Sequence, residues 1–167
     1  GNVRNYACPA YLFEPYKEAE MKKIFEKEGL NSIKEKVGFI ICGFNMLSEP
    51  YDKWPRENEE YIQFAEVIEY LVKKLKQTVF LLSHSNGFSL PPDFKLKTGR
   101  DYPILKQLRD VVIQRGNVDI SFVKLIEGPY NPWETKAILG SFDMVISGRL
   151  HASVAAISQS VPTVVLM

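Results

Sequence analysis

Both histidines of this 167-residue chain, together with one arginine, stand where a polypeptide can do chemistry. The stretch Ser147-Gly148-Arg149-Leu150-His151 closes one apolar run and opens a helical one, and His84 closes another at Ser83-His84. In an open α/β sheet, ligands bind beyond the carboxyl ends of the strands, where loops lead into helix N-termini. A helix N-terminus presents unpaired N–H groups and roughly half a positive charge, which suits phosphate or carboxylate. Arginine is disfavoured beside that charge, so Arg149 points to an anion filling the space between guanidinium and helix, with a bidentate contact adding specificity. Gly148 allows close backbone approach, and His151 can donate a hydrogen bond or act as general acid or base near neutral pH. Ser147, Gly148, Arg149 and His84 are therefore the candidate substrate-binding residues, and Arg149 and His151 the candidate catalytic ones. A solitary arginine or histidine is more often a solvated charge or a structural residue. What favours function is their coincidence at one strand-to-helix corner.

Other chemistries lack their motifs. No Gly-x-Gly-x-x-Gly follows a strand and no Gly-x-x-x-x-Gly-Lys-Ser/Thr is present, so dinucleotide and P-loop readings fail. A Gly-x-Ser-x-Gly elbow and a His-Glu-x-x-His helix are missing too, leaving serine hydrolase and zinc protease without support. Cys8 and Cys42 form neither a Cys-x-x-Cys pair nor part of a metal-ligand pattern; both are expected to be free thiols, with Cys42 in the core. Twenty-one basic and 20 acidic side chains leave a net charge of +1, so no broad footprint points to nucleic acid or to anionic lipid, and any anion site must be local. No apolar run approaches the roughly 20 residues that span a bilayer, and Gly1 to Tyr6 carries no signal-peptide core; a cytoplasmic location is expected.

The elements that must position these residues alternate between short β-rich runs and amphipathic helices, the pattern of a parallel sheet with crossover helices. Strands are expected at Val37–Cys42, Thr78–Leu82, Val118–Val123, Asp143–Ser147 and Val161–Met167, the last reading as a buried strand. Tyr61, Phe64, Ala65, Ile68, Leu71, Val72 and Leu75 recur at helical spacing and predict a helix over about 57–76. A long polar loop follows His84, and a loop of that length suggests a working surface. Asp101 can cap the next helix, with Pro103 in its first turn and Gly116-Asn117 as its stop. Asn131-Pro132-Trp133-Glu134 is a capping box for a short helix ending near Gly140, and a last helix runs from Leu150 to about Gln159. The fold class is α/β: a Rossmann-like, mainly parallel five-stranded sheet with flanking helices. In residues 1–36, the apolar Tyr11-Leu12-Phe13 and the charged helical stretch Lys17 to Gly29 pair with none of these elements in an obvious way. The chain stops within the last expected strand, as a piece of a longer protein would.

Phe142-Asp143-Met144-Val145-Ile146-Ser147-Gly148-Arg149-Leu150-His151-Ala152, followed by Gln159-Ser160-Val161-Pro162-Thr163-Val164-Val165, resembles the polysaccharide pyruvyl transferase family. A weaker likeness runs upstream through Glu134, Asp101-Tyr102-Pro103 and His84 to Cys8-Pro9-Ala10-Tyr11-Leu12, and departs from the family where Cys8 replaces an acidic residue and Ser83 a proline. The resemblance implies the C-terminal lobe of a two-lobed glycosyltransferase-B-type protein. Residues 37–167 would be its donor-binding lobe and residues 1–36 a connector from a lobe outside this sequence. It also implies transfer of a pyruvyl group from phosphoenolpyruvate, as donor substrate and without a further cofactor, to a sugar of a cell-surface polysaccharide that could be lipid-linked. In that reaction Arg149 and the helix N-terminus would cradle the leaving phosphate. His151 would be the acid, His84 a weaker candidate for it, and no metal would be needed. A nucleotide-sugar glycosyltransferase or epimerase of the same architecture, or a non-catalytic binding lobe, remains open at this point.

Overall fold

The computed structural model describes residues 8–51 and 53–166. Gly1 to Tyr6, read above for a leader, and Met167, the end of the last expected strand, lie outside the described residues. The strands are β1 (Lys36–Ile40), β2 (Thr78–Leu81), β3 (Gly87–Phe88), β4 (Leu96–Lys97), β5 (Val123–Leu125), β6 (Met144–Ser147) and β7 (Thr163–Val165). The α-helices are α1 (Glu18–Glu28), α2 (Ile62–Lys73), α3 (Asp101–Arg115), α4 (Pro132–Gly140) and α5 (Leu150–Ile157). Five strands form one sheet in the order β5-β2-β1-β6-β7, and every neighbouring pair is parallel. This is the mainly parallel Rossmann-like α/β sheet that the alternation predicts.

Because successive side chains of a strand point to opposite faces, each strand serves two cores. Val37, Phe39, Val79, Leu81, Val123 and Ile146 face α2 and α3, while Ile40, Phe80, Leu82 and Val145 face α4 and α5. Gly38 lies on the second face, where a Cβ would sit 2.5 Å from the Phe142 ring, so the missing side chain lets that ring lie on the sheet. α1 belongs to the same layer, with Met21, Phe25 and Leu30 buried among these residues. Its sequence hides this docking, since only two residues of an otherwise charged helix turn inward.

Several boundaries differ from expectation. The third strand of the sheet is not Val118–Val123: Asp119 Oδ1 accepts from Ser121 N–H and caps a 3₁₀ turn over Ile120–Phe122, so pairing with β2 starts only at Val123. The last strand is not buried: among the described residues only β6 pairs with it, and Val164 and Val165 are exposed. The expected helix over 57–76 divides into a 3₁₀ turn at Asn58–Tyr61 and α2. Within the loop after His84, β3 and β4 pair as a small antiparallel hairpin. The Asn131 capping box and Pro132 at the helix start are present as read.

Candidate functional site

Two connections bring the candidate residues to the carboxyl edge of the sheet: the two-residue step, Gly148-Arg149, from β6 into α5 and the long excursion from β2 to α3. In the first, Ser147 is fully buried. Its Oγ accepts from Arg149 N–H at 3.0 Å and donates to Arg149 O at 3.0 Å, so the hydroxyl is spent on fixing the turn. Gly148 N–H donates to Ile40 O at 2.8 Å. The space that a Cβ would take at Gly148 holds the Asn45 side chain, so the close approach made there is by the protein itself. Asn45 Oδ1 accepts from Cys42 N–H at 3.0 Å, and Cys42 Sγ lies 3.6 Å from Gly148 O. Cys42 is thus core, as expected, and also ties β1 to the turn. Burial pushes its thiol pKa up, against the lowering field of Arg149. Both cysteines are free.

Arg149 is the N-cap residue of α5 and its side chain makes no capping bond. The first intrahelical bond runs from Ser153 N–H to Arg149 O, which leaves the N–H groups of Leu150, His151 and Ala152 without a helical acceptor. The guanidinium instead meets Asp101: Nη2 donates to Oδ1 at 2.5 Å and Nε to Oδ2 at 3.1 Å. Asp101 does not cap α3. It is the first residue of that helix, completely buried, and its Oδ2 also accepts from Ser85 N–H at 3.1 Å. The arginine outcompetes the helix's own N–H groups for the carboxylate because a two-bond charged pair is the stronger contact. Asp101 therefore locks three segments together: α3, the strand end that carries His84, and the β6–α5 turn.

His84, Arg149 and His151 line one pocket of about 340 Å³ with Cys42, Ser85 and Gly148. His151 is exposed at the second position of α5, whereas His84 is half-buried. Desolvation pushes the His84 pKa down to about 4, helped by the charges of Arg149 and His151 and opposed by Asp101, so its imidazole is neutral near pH 7. Two further hollows share lining residues with this pocket. A cavity of about 320 Å³ is walled by Phe13, Phe88, Leu96 and Leu139 and bounded by both histidines. Its polar members are already engaged: Asn86 Nδ2 donates to Tyr130 O at 2.8 Å, and Lys136 Nζ donates to Phe13 O at 2.6 Å and Ala10 O at 2.9 Å. A pocket of about 360 Å³, bounded by Phe44, Tyr51, Ser85, Arg100 and Arg149, adjoins the histidine pocket through Phe44, Ser85 and Arg149.

The structure thus gathers all the candidate residues at one edge, and Ser147 and Gly148 shape the turn. Sequence reasoning missed the part played by Asp101, whose pairing partner is 48 residues away. It also missed Arg100, Asn45 and Lys136, for which no local pattern exists. Among the described residues, no group of three or more His, Cys, Asp or Glu side chains is placed to hold a metal ion, and no helix is long and apolar enough to cross a membrane. Over residues 1–167 the chain matches the family model described as polysaccharide pyruvyl transferase. No curated protein and no solved structure matches it significantly.

Proposed function

This chain belongs to the polysaccharide pyruvyl transferase family, and from that premise we propose that its carboxyl-edge cleft binds phosphoenolpyruvate and passes the pyruvyl group to a sugar of a cell-surface polysaccharide. The observation that carries the reading is the placement of Arg149, oriented by the buried Asp101, in one pocket with His84 and His151. Ketal formation needs a proton delivered to the enol methylene, attack of two sugar hydroxyls on C2, and departure of phosphate. His151, exposed and at the helix start, gives the proton to C3. The resulting cation at C2 takes the first hydroxyl, the C2–O bond to phosphate breaks, and the second hydroxyl closes the ketal. One hydroxyl proton restores His151, and the other leaves with phosphate. His84 suits the opposite task from the acid: its neutral imidazole takes the second hydroxyl's proton and passes it to the departing phosphate. The donor phosphate lies against Arg149 and the free N–H groups of α5, where fixed donors stabilise charge without reorganising. The acceptor approaches from the far side of the histidines. The reading also places the reaction in the cytoplasm, with the acceptor, free or lipid-linked, held in part by a lobe outside this sequence.

The test compares Arg149→Ala with His151→Ala in the intact protein, using calorimetry with phosphoenolpyruvate and an assay of pyruvylated sugar. Loss of the guanidinium should weaken donor binding by about 1.5–3 kcal/mol, the worth of a charge-assisted hydrogen bond. Loss of His151 should leave donor affinity near normal and slow turnover about 10²–10⁴-fold. Wild-type behaviour in both variants would end the proposal that this turn is the active centre.

A further inference from the structure

Phosphoenolpyruvate carries two anionic groups, and Arg149 with the start of α5 accounts for only one. The pocket beyond Arg149 has a second cation on its wall. Arg100, exposed at the N-cap of α3, borders the same hollow of about 360 Å³ as Arg149. Among the described residues Arg149 pairs with Asp101 while Arg100 enters no ion pair, so one of the two guanidinium charges on this pocket has no carboxylate opposite it. An unpaired guanidinium bordering the pocket beside one whose charge is already met is free to pair with an anion entering it. Among the described residues the remaining walls carry no carboxylate, being Ser85, Ile104, Gly43 and the tilted pair Phe44 and Tyr51, whose ring centroids are 5.2 Å apart.

Resting on the functional reading above, we propose that Arg100 is a specificity-determining residue that takes the donor's carboxylate while Arg149 holds its phosphate. The division follows from the surroundings. A phosphate offers three terminal oxygens and is matched by Arg149 together with the N–H groups of Leu150, His151 and Ala152. A carboxylate offers two, which the planar fork of a single guanidinium can meet. With the phosphate at the α5 start and the carboxylate turned toward Arg100, the reacting C2–C3 bond faces the histidines. Arg100 then selects a phosphate ester that bears a carboxylate over one that does not.

Three ligands separate the contributions: phosphoenolpyruvate and phospholactate, which carry the carboxylate, and ethyl phosphate, which is phospholactate without it. In calorimetry on the intact protein, Arg100→Ala should weaken the first two about tenfold or more, the loss of one charge-assisted contact, and leave ethyl phosphate within about twofold. Arg100→Lys should recover part of the loss. Arg149→Ala should weaken all three. Because Arg100 is exposed, its variants should melt close to wild type, which is checked in the same samples. The inference is overturned if Arg100→Ala binds phosphoenolpyruvate as wild type does, or if it weakens ethyl phosphate equally, since Arg100 would then act on phosphate or only through its field. Those outcomes leave the pyruvyl-transfer reading intact. A wild-type protein that binds neither phosphoenolpyruvate nor phospholactate would remove both.

Discussion

Two arginine–carboxylate pairs of this molecule are built in opposite senses. In Arg56–Glu60 the arginine is the inner member: its side chain is fully shielded and that of Glu60 is 10% exposed. Its Nη1 and Nη2 donate to Glu60, Ser48 O and Pro50 O, while the buried Nε finds no partner among the described residues, so the terminal nitrogens work as a rivet holding the loop before α2. In Arg149–Asp101 the carboxylate is the inner member, with Asp101 at 0% and the Arg149 side chain at 26% exposed. Only Arg149 Nε and Nη2 are engaged, out of five N–H donors. The buried partner orients the outward one and leaves it donors to offer. Which member is buried thus separates a pair that holds structure from one that presents charge.

The largest effect that could break this contrast belongs to Arg56. Arg56→Ala leaves Glu60 and two loop carbonyls without their partner, and losing one member of a buried pair costs about 3–5 kcal/mol. Denaturant unfolding should show that loss, while donor affinity measured on the folded fraction stays at the wild-type value. A matching fall in donor affinity would mean that the two pairs do not differ in kind. The next effect is smaller and mixed. Asp101→Asn keeps the shape, removes the charge and leaves an amide donor facing either Arg149 Nη2 or both Arg149 Nε and Ser85 N–H. Stability should fall by about 1.5–3 kcal/mol, the scale of hydrogen bonds to charged groups. Donor affinity should fall with it, by less than in Arg149→Ala, because the guanidinium remains but loses its orientation. Lost stability with unchanged donor affinity would place Asp101 with Glu60 as purely structural.

The same contrast explains what the sequence could and could not tell. The β6–α5 turn was legible because its signal is local: an apolar strand, a glycine, and an arginine at a helix start within five residues. The Asn131 box was legible for the same reason, since both of its hydrogen bonds span three residues. Local chemistry favours Asp101 as a cap, and only the fold brings Arg149 to it. The hairpin of β3 and β4 escaped notice because two-residue strands carry no periodicity, and the docking of α1 because Met21 and Phe25 are too few to mark a face. The shift of the third strand to Val123 turned on Asp119, whose side chain stabilises a turn inside a run that otherwise alternates like a strand.

The smallest predicted effect comes from His84, between the two pairs in character because it is half-buried and lies in the field of Arg149. Its pKa of about 4 in the folded protein lies below the ordinary 6.5 that it regains on unfolding. Above pH 6.5 both states are neutral and the residue contributes nothing to the pH dependence. Between 6.5 and 4 the unfolded chain takes up a proton that the folded chain refuses, so stability falls as the pH falls, with a slope of at most about 1.4 kcal/mol per pH unit. Below 4 both states are protonated and the loss levels off. The whole difference would approach about 3 kcal/mol for a fully shielded group, and solvent reaching a half-buried ring makes it smaller. Carboxylates titrate over the lower part of this range, so the test is the difference between wild type and His84→Gln in unfolding free energy from pH 5 to 6.5. The variant should show the shallower slope. Equal slopes would mean that His84 titrates like a solvated histidine, and its assignment as the neutral proton acceptor beside Arg149 would fall.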